Sequence, residues 1–440
     1  MIALSLDFGT SSIKAGLVDE AGNLLGATAS APYAYQLLPG EKVELREKDM
    51  LDAMVLAVSR LDPELRARAD YLCYDTFSPS LVLLDEDGKL LTDGIITHLD
   101  RRSRAYSRVV DKVFGNIPYM NTTGFLPFAG GCSLMTLLWF KDHEPERFSQ
   151  ARHVGHLPTY LYHLFTGRFA VDRVNASMLG VYSTVKDTGW SEDILSAFDL
   201  PKHAFGDICQ PGTILGRLAD HWAEIFGVKK DLPVALGTND MAAAQVGAGN
   251  RRSGCVLNVA GSSDMIGILT DTPAVSTHYY LRCSADAGLW QMYSTTAGGF
   301  ALDWFHEQFC RELTDKGDFY QMVADVLSEA GDQKAKSTFL PYLSGDRQSL
   351  RKKTGAFNGL TLGSTREDML LALMHGIQSV LWDTFQRAGE VTKLEPVIKI
   401  TGGMVNPAYL KLKSLYFDPY RFEEIQNCPL RGNALLIHEP

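Results

Sequence analysis

The sequence predicts a mixed α/β protein made of two related domains with a cleft between them. Three observations carry this expectation. Strand-like and helix-like segments alternate along the chain. A length of 440 residues suits two domains or more. The chain also echoes itself. Shifted by 251 residues, S-L-D-F-G-T-S-S-I-K-A-G-L-V lies over V-L-N-V-A-G-S-S-D-M-I-G-I-L, with Leu6 on Leu257, Ser11 on Ser262, Ser12 on Ser263 and Gly16 on Gly267. Two strand–turn–strand units then open two halves of similar size. The expected boundary falls in the Gly/Arg/Ser-rich stretch G-A-G-N-R-R-S-G, giving domains 1–246 and 247–440.

Residues 2–8 (IALSLDF) are apolar and β-forming, and read as a strand. G-T-S-S makes a turn, and IKAGLVDE reads as the returning strand of a hairpin. LVLLDEDGKLL (81–91) reads as a second hairpin turned by D-E-D-G. From 134 to 166 the apolar spacing is helical, anchored by LMTLLWFKDH and YLYHLFTG. Strands and helices alternate again from 233 to 270. A helix over 365–388, the strand VIKITGG and a helix after Pro407 follow.

Composition narrows the function. The chain is 45% hydrophobic and 21% charged, with a net charge of −10. The basic clusters, Arg101-Arg102 and Arg351-Lys352-Lys353, are short, so no basic stripe suggests a nucleic-acid partner. Asp7 interrupts the apolar N-terminus, and no run of 18 apolar residues occurs, which argues against a signal or a membrane span. Seven scattered cysteines form no C-x-x-C and no zinc spacing. A soluble protein in a reducing cytoplasm is expected, with most thiols buried.

D-F-G at residues 7–9 is also the metal-binding tripeptide of protein kinases. There it follows a Gly-rich loop, a strand Lys and an H-R-D loop, and nothing upstream of Asp7 carries those parts. The hairpin tip offers another chemistry. Gly, Thr and Ser present backbone N–H groups and hydroxyls with little bulk, a concavity suited to phosphate oxygens. Lys14 can add positive charge at its edge, and the Asp7 carboxylate can hold the water shell of Mg²⁺. Two facing tips would clamp a polyphosphate from both sides. No Walker A pattern occurs. Phosphoryl transfer also needs an acceptor for the substrate's hydroxyl proton. In V-A-L-G-T-N-D-M-A-A-A-Q-V-G, Asp240 opens an Ala-rich helix next to the expected domain boundary. It reads as that base, or as a simple helix cap.

The motifs resemble, in order and spacing, the FGGY family of carbohydrate kinases within the actin, hexokinase and Hsp70 superfamily. They are D-F-G-T-S-S-I-K (7–14), LVLLDEDG…IITHLDRRS (81–103), D-R-V-N-A-S (172–177), G-T-N-D (237–240), A-G-S-S (260–263), AGGFALDWF (297–305), PYLSGDR (341–347), GAFNGLTLGSTRED (355–368) and TGGMVNP (401–407). The resemblance implies two ribonuclease-H-like, actin-like ATPase domains and an ATP- and Mg²⁺-dependent sugar kinase. Gly9, Thr10, Ser11, Ser12 and Lys14 would form the first phosphate turn, and Gly261 and Ser262 the second. Asp7 would organise the metal and Asp240 would be the general base. Gly299, Gly402, Gly403 and Asn406 would border adenosine. The sugar would lie against Thr76, Phe77, Ser78, Asp240, Asn175 and the His98–Asp100 region. Dimers are common in the resembled family, so a homodimer is within what it implies.

The chain also departs from that pattern. T-F-S-P (76–79) stands where xylulose kinases show Q-M-H-G and glycerol kinases Q-R-E-T. The Arg-Glu pair that resembles polyol recognition is missing, so glycerol is disfavoured; the His of the xylulose type is missing too, and the expected acceptor is a ketopentose or a related polyol-sized molecule. Met241 follows Asp240 where glycerol kinases place Gln, and His98 replaces a Trp. Thr136 stands where a Lys is expected, His375 where an acidic residue is usual, and the segment after TGGMVNP lacks its usual Gln and Ala-Asp. The chain stops soon after R-G-N-A-L-L (431–436), so the expectation is either weak nucleotide binding or a subdomain supplied otherwise. Two other readings stay open: an actin- or Hsp70-like ATPase switch, and a catalytically weak sugar-binding relative.

Overall fold

The computed structural model describes residues 1–331, 333–343, 345, 350 and 353–438. Ser344, Asp346 and Arg347 of the P-Y-L-S-G-D-R motif lie outside the described residues. So do Arg351 and Lys352 of the basic cluster, and Pro440.

The first sheet grows from the opening hairpin. β1 (Ile2–Phe8) pairs antiparallel with β2 (Ser12–Asp19), which pairs with β3 (Ala29–Pro32). On its other side β1 lies parallel to β4 (Tyr71–Thr76), followed by β5 (Pro233–Ala235) and an edge strand at Ile214–Arg217. Both faces of β1 are covered, which explains its nearly continuous apolar run. Leu4, Leu6 and Phe8 enter one core with Met50, Met54 and Leu72. Ala3 packs on the opposite face with Leu430 and Ala434. Helix α1 (Arg173–Leu179) and helix α2 (Asp240–Gly247) follow in the same half.

The second sheet repeats this plan. Its strands are β6 (Val256–Ala260), β7 (Ser263–Thr270), β8 (Tyr280–Cys283), β9 (Trp290–Ala297), β10 (Val397–Thr401) and β11 (Arg421–Glu424). They run in the order β8-β9-β7-β6-β10-β11, with β6–β7 and β7–β9 antiparallel and β6–β10 parallel. β6, β7 and β10 therefore occupy the places of β1, β2 and β4. The echo is real in space but slips by one residue. Phe8 pairs with Ile13, whereas Ala260 pairs with Asp264, so the second turn is one residue shorter. Gly9 corresponds to Gly261, while Ser12 still corresponds to Ser263. The same hydrogen bond closes both turns, Gly9 N–H to Ser12 O at 3.0 Å and Gly261 N–H to Ser263 O at 2.9 Å.

Helices α3 (Gly299–Phe309), α4 (Arg366–Val391), α5 (Pro407–Phe417) and α6 (Cys428–Leu436) belong to the second half of the chain. The start of α4 is set by a capping box between Thr365 and Asp368. α5 has Pro407 at its first position and Asn406 as cap, its side chain accepting from Tyr409 N–H at 3.0 Å. α2 and α6 exchange sides. α2 packs on the second sheet, where Gln245 Nε2 donates to Gly267 O at 2.9 Å. α6 packs on the first, where Ser5 Oγ donates to Leu430 O at 2.9 Å. The two helices cross at glycines. A Cβ on Gly247 would lie 1.9 Å from Cys428 O, and one on Gly432 would lie 1.8 Å from Ala243 O.

Two expected elements differ. Residues 81–91 form only one long strand arm, Ser80–Leu84, with a single bridge from Leu84 to Leu90. The arm instead pairs with Ile95–Thr97 and His153–His156, because these apolar segments offer longer ladders than the short D-E-D-G turn. That second pairing also breaks the expected helical stretch 134–166 into helices at 134–143, 145–150 and 157–166 around a strand. Among the described residues no helix is long and apolar enough to cross a membrane. All seven cysteines are unpaired, and burial pushes the Cys73 and Cys132 thiols up to about 12.

Candidate active site

Two neighbouring strands and the start of α2 bring three carboxylates together. In the first sheet Asp7 on β1 lies beside Asp75 on β4, and Asp75 beside Thr238, two residues before Asp240. This is the edge beyond the carboxyl ends of parallel strands, where ligands bind in open α/β sheets. A cavity of ≈ 240 Å³ opens there. Asp7, Gly9 and Thr10 line it from one side, Gly261, Ser262 and Ser263 from the other, with Asp240 between. The two hairpin tips thus face one cleft.

The first tip is held from outside: Tyr33 N–H donates to Ser11 O at 3.0 Å, and the Tyr33 hydroxyl donates to Gly9 O. The second tip is held by α3. Gly299 N–H donates to Gly261 O at 2.9 Å, and Gly298 and Phe300 N–H donate to Ser262 O. Gly402, at φ +118, passes so close beneath this tip that a Cβ would lie 2.2 Å from Ala260 O. Gly403 faces open space, and Thr401 lines the cavity.

Burial and mutual repulsion set the protonation of the carboxylates. Asp75 is fully buried, and its pKa is raised well above the ordinary carboxylate range by burial, then by Asp7 and Asp240. Burial and its two carboxylate neighbours therefore favour its protonated form. Its Oδ2 accepts from Asn433 Nδ2 at 2.6 Å. Its Oδ1 has no hydrogen-bond donor among the described residues. Burial raises the Asp7 pKa, and a hydrogen bond from a protonated Asp75, with Lys14 nearby, draws it only part of the way back. Asp240 is raised to about 7 by burial, then by Asp7. Its Oδ1 accepts from Met241 N–H at 2.6 Å and Asn239 Nδ2 at 2.7 Å. The cap of α2 is Asn239, whose side chain accepts from Ala242 N–H at 3.3 Å, so Asp240 is not doing that task.

A buried polar chain backs one wall of the cavity. Phe77, Ser78 and His98 line the cavity. Ser78 Oγ donates to Asn175 Oδ1 at 2.7 Å, and Asn175 Nδ2 donates to Asp172 Oδ2 at 2.7 Å. That orientation leaves Asn175 Oδ1 as an acceptor, so His156 donates to it through Nδ1 at 2.9 Å. Burial lowers the His156 pKa to about 4, so the ring is neutral and its Nε2 accepts from Ser133 Oγ at 2.8 Å. Asp172 also accepts from Thr238 Oγ1 at 2.8 Å, which ties this chain to the turn that carries Asp240.

Several expected site residues stand elsewhere. Asp100 is buried beside Arg102 and accepts from Val43 N–H at 2.7 Å, so its carboxylate is spent away from the cavity. Thr76 is buried and donates to Phe77 O at 3.1 Å. Lys14 neighbours Asp7 across the hairpin, but its ammonium donates to Asn427 Oδ1 at 3.0 Å and does not line the cavity. Ser11 is exposed, and neither it nor Ser12 lines the cavity. Asn406 serves α5 as its cap. Thr136 shares a buried hydrogen bond with Ser103 at 3.0 Å, and His375 bonds the Tyr416 hydroxyl at 2.7 Å. Asp264, another acidic residue beside a tip, is buried against Lys413 at 3.0 Å.

Two residues escape sequence reasoning. Asp75 looks like an isolated acid in an apolar strand until the parallel register sets it against Asp7. Arg282, an isolated base in Y-L-R-C, reaches the same cavity from the other half. Its only signal is a charge where β8 is otherwise buried.

A family model described as the FGGY family of carbohydrate kinases, N-terminal domain, matches residues 2–247, and its C-terminal counterpart matches 256–436. The chain belongs to the FGGY family of carbohydrate kinases. As such it is a phosphotransferase acting on a sugar alcohol group, and the actin- or Hsp70-like switch is set aside. A xylulose kinase of Bacillus subtilis is 27% identical over 98% of this kinase and 87% of its own length. A xylulose kinase of Lactococcus lactis is 24% identical over 94% and 83%, and a gluconokinase of Bacillus licheniformis 23% over 91% and 79%. Among solved structures, a ligand-bound xylulose kinase and a gluconate kinase, both from Lactobacillus acidophilus, share the fold. Each has a TM-score of 0.86 and covers 99% of this kinase, at 22% and 23% identity, with 88% and 89% of their own chains covered. The two-domain actin-like ATPase fold expected from the resemblance is thereby shown.

Proposed function

We propose that this kinase transfers the γ-phosphoryl group of ATP to a hydroxyl of a small, ketopentose-sized sugar or polyol, with Asp240 as general base. What supports the reading is convergence: both hairpin tips and Asp240 line one cavity. The N–H groups and hydroxyls of Gly9, Thr10, Gly261 and Ser262 would hold phosphate oxygens. Gly299, Gly402 and Gly403, gathered beside the second tip, leave the nucleotide side free of side-chain bulk. Phe77, Ser78 and His98 would hold the sugar, with Asn175 fixing the Ser78 hydroxyl.

A pKa near 7 suits a base working at neutral pH. The Asp240 oxygen not tied to Asn239 and Met241 is the one to take the proton. Closing the cleft would exclude water and set the acceptor hydroxyl in line with the phosphoryl group. The donor set fits Mg²⁺. Asp7 lines the cavity as a hard oxygen ligand, with Asp75 behind it. Among the described residues no cluster of three His, Cys, Asp or Glu could hold a metal. That suits an ion held by one or two carboxylates, waters and substrate phosphates. When bound, the ion would neutralise phosphate charge. A homodimer is part of the same reading, tested by its mass in solution.

The test is ADP release from MgATP with purified protein across pentuloses, hexuloses, polyols and sugar acids. Acceptor-dependent release supports the reading. Release that no acceptor stimulates refutes it.

A further inference from the structure

The guanidinium of Arg282 sits where the central cavity meets a recess of ≈ 30 Å³ behind Ser78 and His98. Arg282 is 4% exposed. Its guanidinium lies over the Tyr293 ring, 3.6 Å from the centroid, and Nη1 donates to Met178 Sδ at 3.0 Å. Its Nε has no hydrogen-bond partner among the described residues. A buried cation without a counter-ion is costly. Other deeply buried cations meet that cost with protein groups: Arg102 holds Asp100 and Glu44, Arg173 holds Asp187, Lys413 holds Asp264, and Arg101 donates to the His98 and Asp100 carbonyls. Asp240 influences Arg282 through space but spends its Oδ1 on Asn239 and Met241.

The missing anion must therefore arrive with a ligand. Nucleotide phosphates belong at the hairpin tips, and no tip residue lines the recess. The recess lies on the acceptor side, among Ser78, His98, Met178 and Tyr280.

We infer that Arg282 is a specificity-determining residue that binds the carboxylate of the acceptor, so that the acceptor is a small sugar acid. The guanidinium edge bearing Nε offers a planar fork, which suits a carboxylate and not a neutral hydroxyl. This inference rests on the kinase reading and replaces the neutral end of a ketopentose with an acidic one.

The experiment compares D-gluconate and D-xylonate with D-glucose, D-xylulose, xylitol and D-ribulose 5-phosphate as acceptors. ADP release is measured for the wild type, Arg282→Gln and Arg282→Lys. Losing one buried charge-assisted contact costs about 10²-fold or more. The wild type is expected to favour a sugar acid by about that factor in kcat/KM. Arg282→Gln should lose the preference mainly through the KM for sugar acids, with Arg282→Lys partly restoring it; assays at pH 9, above the Asp240 value of about 7, keep the loss of the neighbouring positive charge from moving kcat by itself. A wild-type preference for D-xylulose or the sugar phosphate overturns the inference. So does a fall in kcat on every acceptor at unchanged KM, which would place Arg282 at the phosphoryl group. Should ADP release depend on no acceptor, the kinase reading fails by itself, and melting curves without nucleotide then decide. Stabilisation of the wild type but not of Arg282→Gln by a sugar acid supports the inference, and its absence overturns it. Ligand-free melting temperatures show whether both variants fold.

Discussion

Replacing Asp240 by Asn removes one proton acceptor from the cleft and little else. The side chain keeps its shape, and an amide oxygen can still accept from Met241 N–H, now 2.6 Å from the carboxylate. The cap of α2 is untouched, because Asn239 supplies it. Removing a general base costs about 10²–10⁴ in rate, or about 3–5 kcal/mol of barrier. The expected result is that fall in kcat, with acceptor and nucleotide KM changed by less than about threefold. The pH profile adds a second readout. A base with a pKa of about 7 must be ionised to work, so wild-type kcat/KM should rise with pH and level off above that value. The variant should lack this limb.

Stability should move the other way. Asp240 binds its proton more tightly folded (about 7) than unfolded (3.8). Its contribution is therefore most favourable below the unfolded value and is lost as pH rises through about 7. The variant should thus melt at or above the wild-type temperature at pH 8, and gain less at pH 5. The ceiling is about 4 kcal/mol, and less is expected because the carboxylate still touches the cavity. Turnover near wild type on the preferred acceptor would refute the reasoning.

Three further outcomes are expected. Lys413→Met strands the buried Asp264 carboxylate, so chemical denaturation should show a loss of about 3–5 kcal/mol; a loss under 1 kcal/mol would mean the pair is not maintained. Gly432→Ala would drive a Cβ to 1.8 Å from Ala243 O, and since backbone must yield, stability should drop by more than about 2 kcal/mol; an unchanged melting temperature would contradict the close crossing of α2 and α6. Lys14→Met breaks the bond to Asn427, and because Lys14 does not line the cavity, nucleotide KM should change by less than threefold; a tenfold rise would put the ammonium at the phosphates.

The sequence by itself determined the parts of the site that local chemistry writes down. The small residues of the two tips, the acid before the first and the acid opening α2 each show in a few consecutive residues. So does the cap–proline start of α5. The echo between the halves was equally legible, since two copies of one strand–turn–strand need the same apolar spacing. Even there the tertiary structure corrected the alignment by one residue, because the second turn is shorter.

Partnership was decided only by the fold. Asp100 and Lys14 looked as free as Asp240, yet one is consumed by Arg102 and the other by Asn427. Asp75 and Arg282 looked like strays, yet one lies beside Asp7 and the other lines the recess behind Ser78 and His98. Asn433 reaches Asp75 only because α6 crosses to the first sheet. The physical reason is common to all of them. The availability of a buried charge depends on which group the register of distant strands places within about 3 Å, and that register is set by the packing of whole sheets.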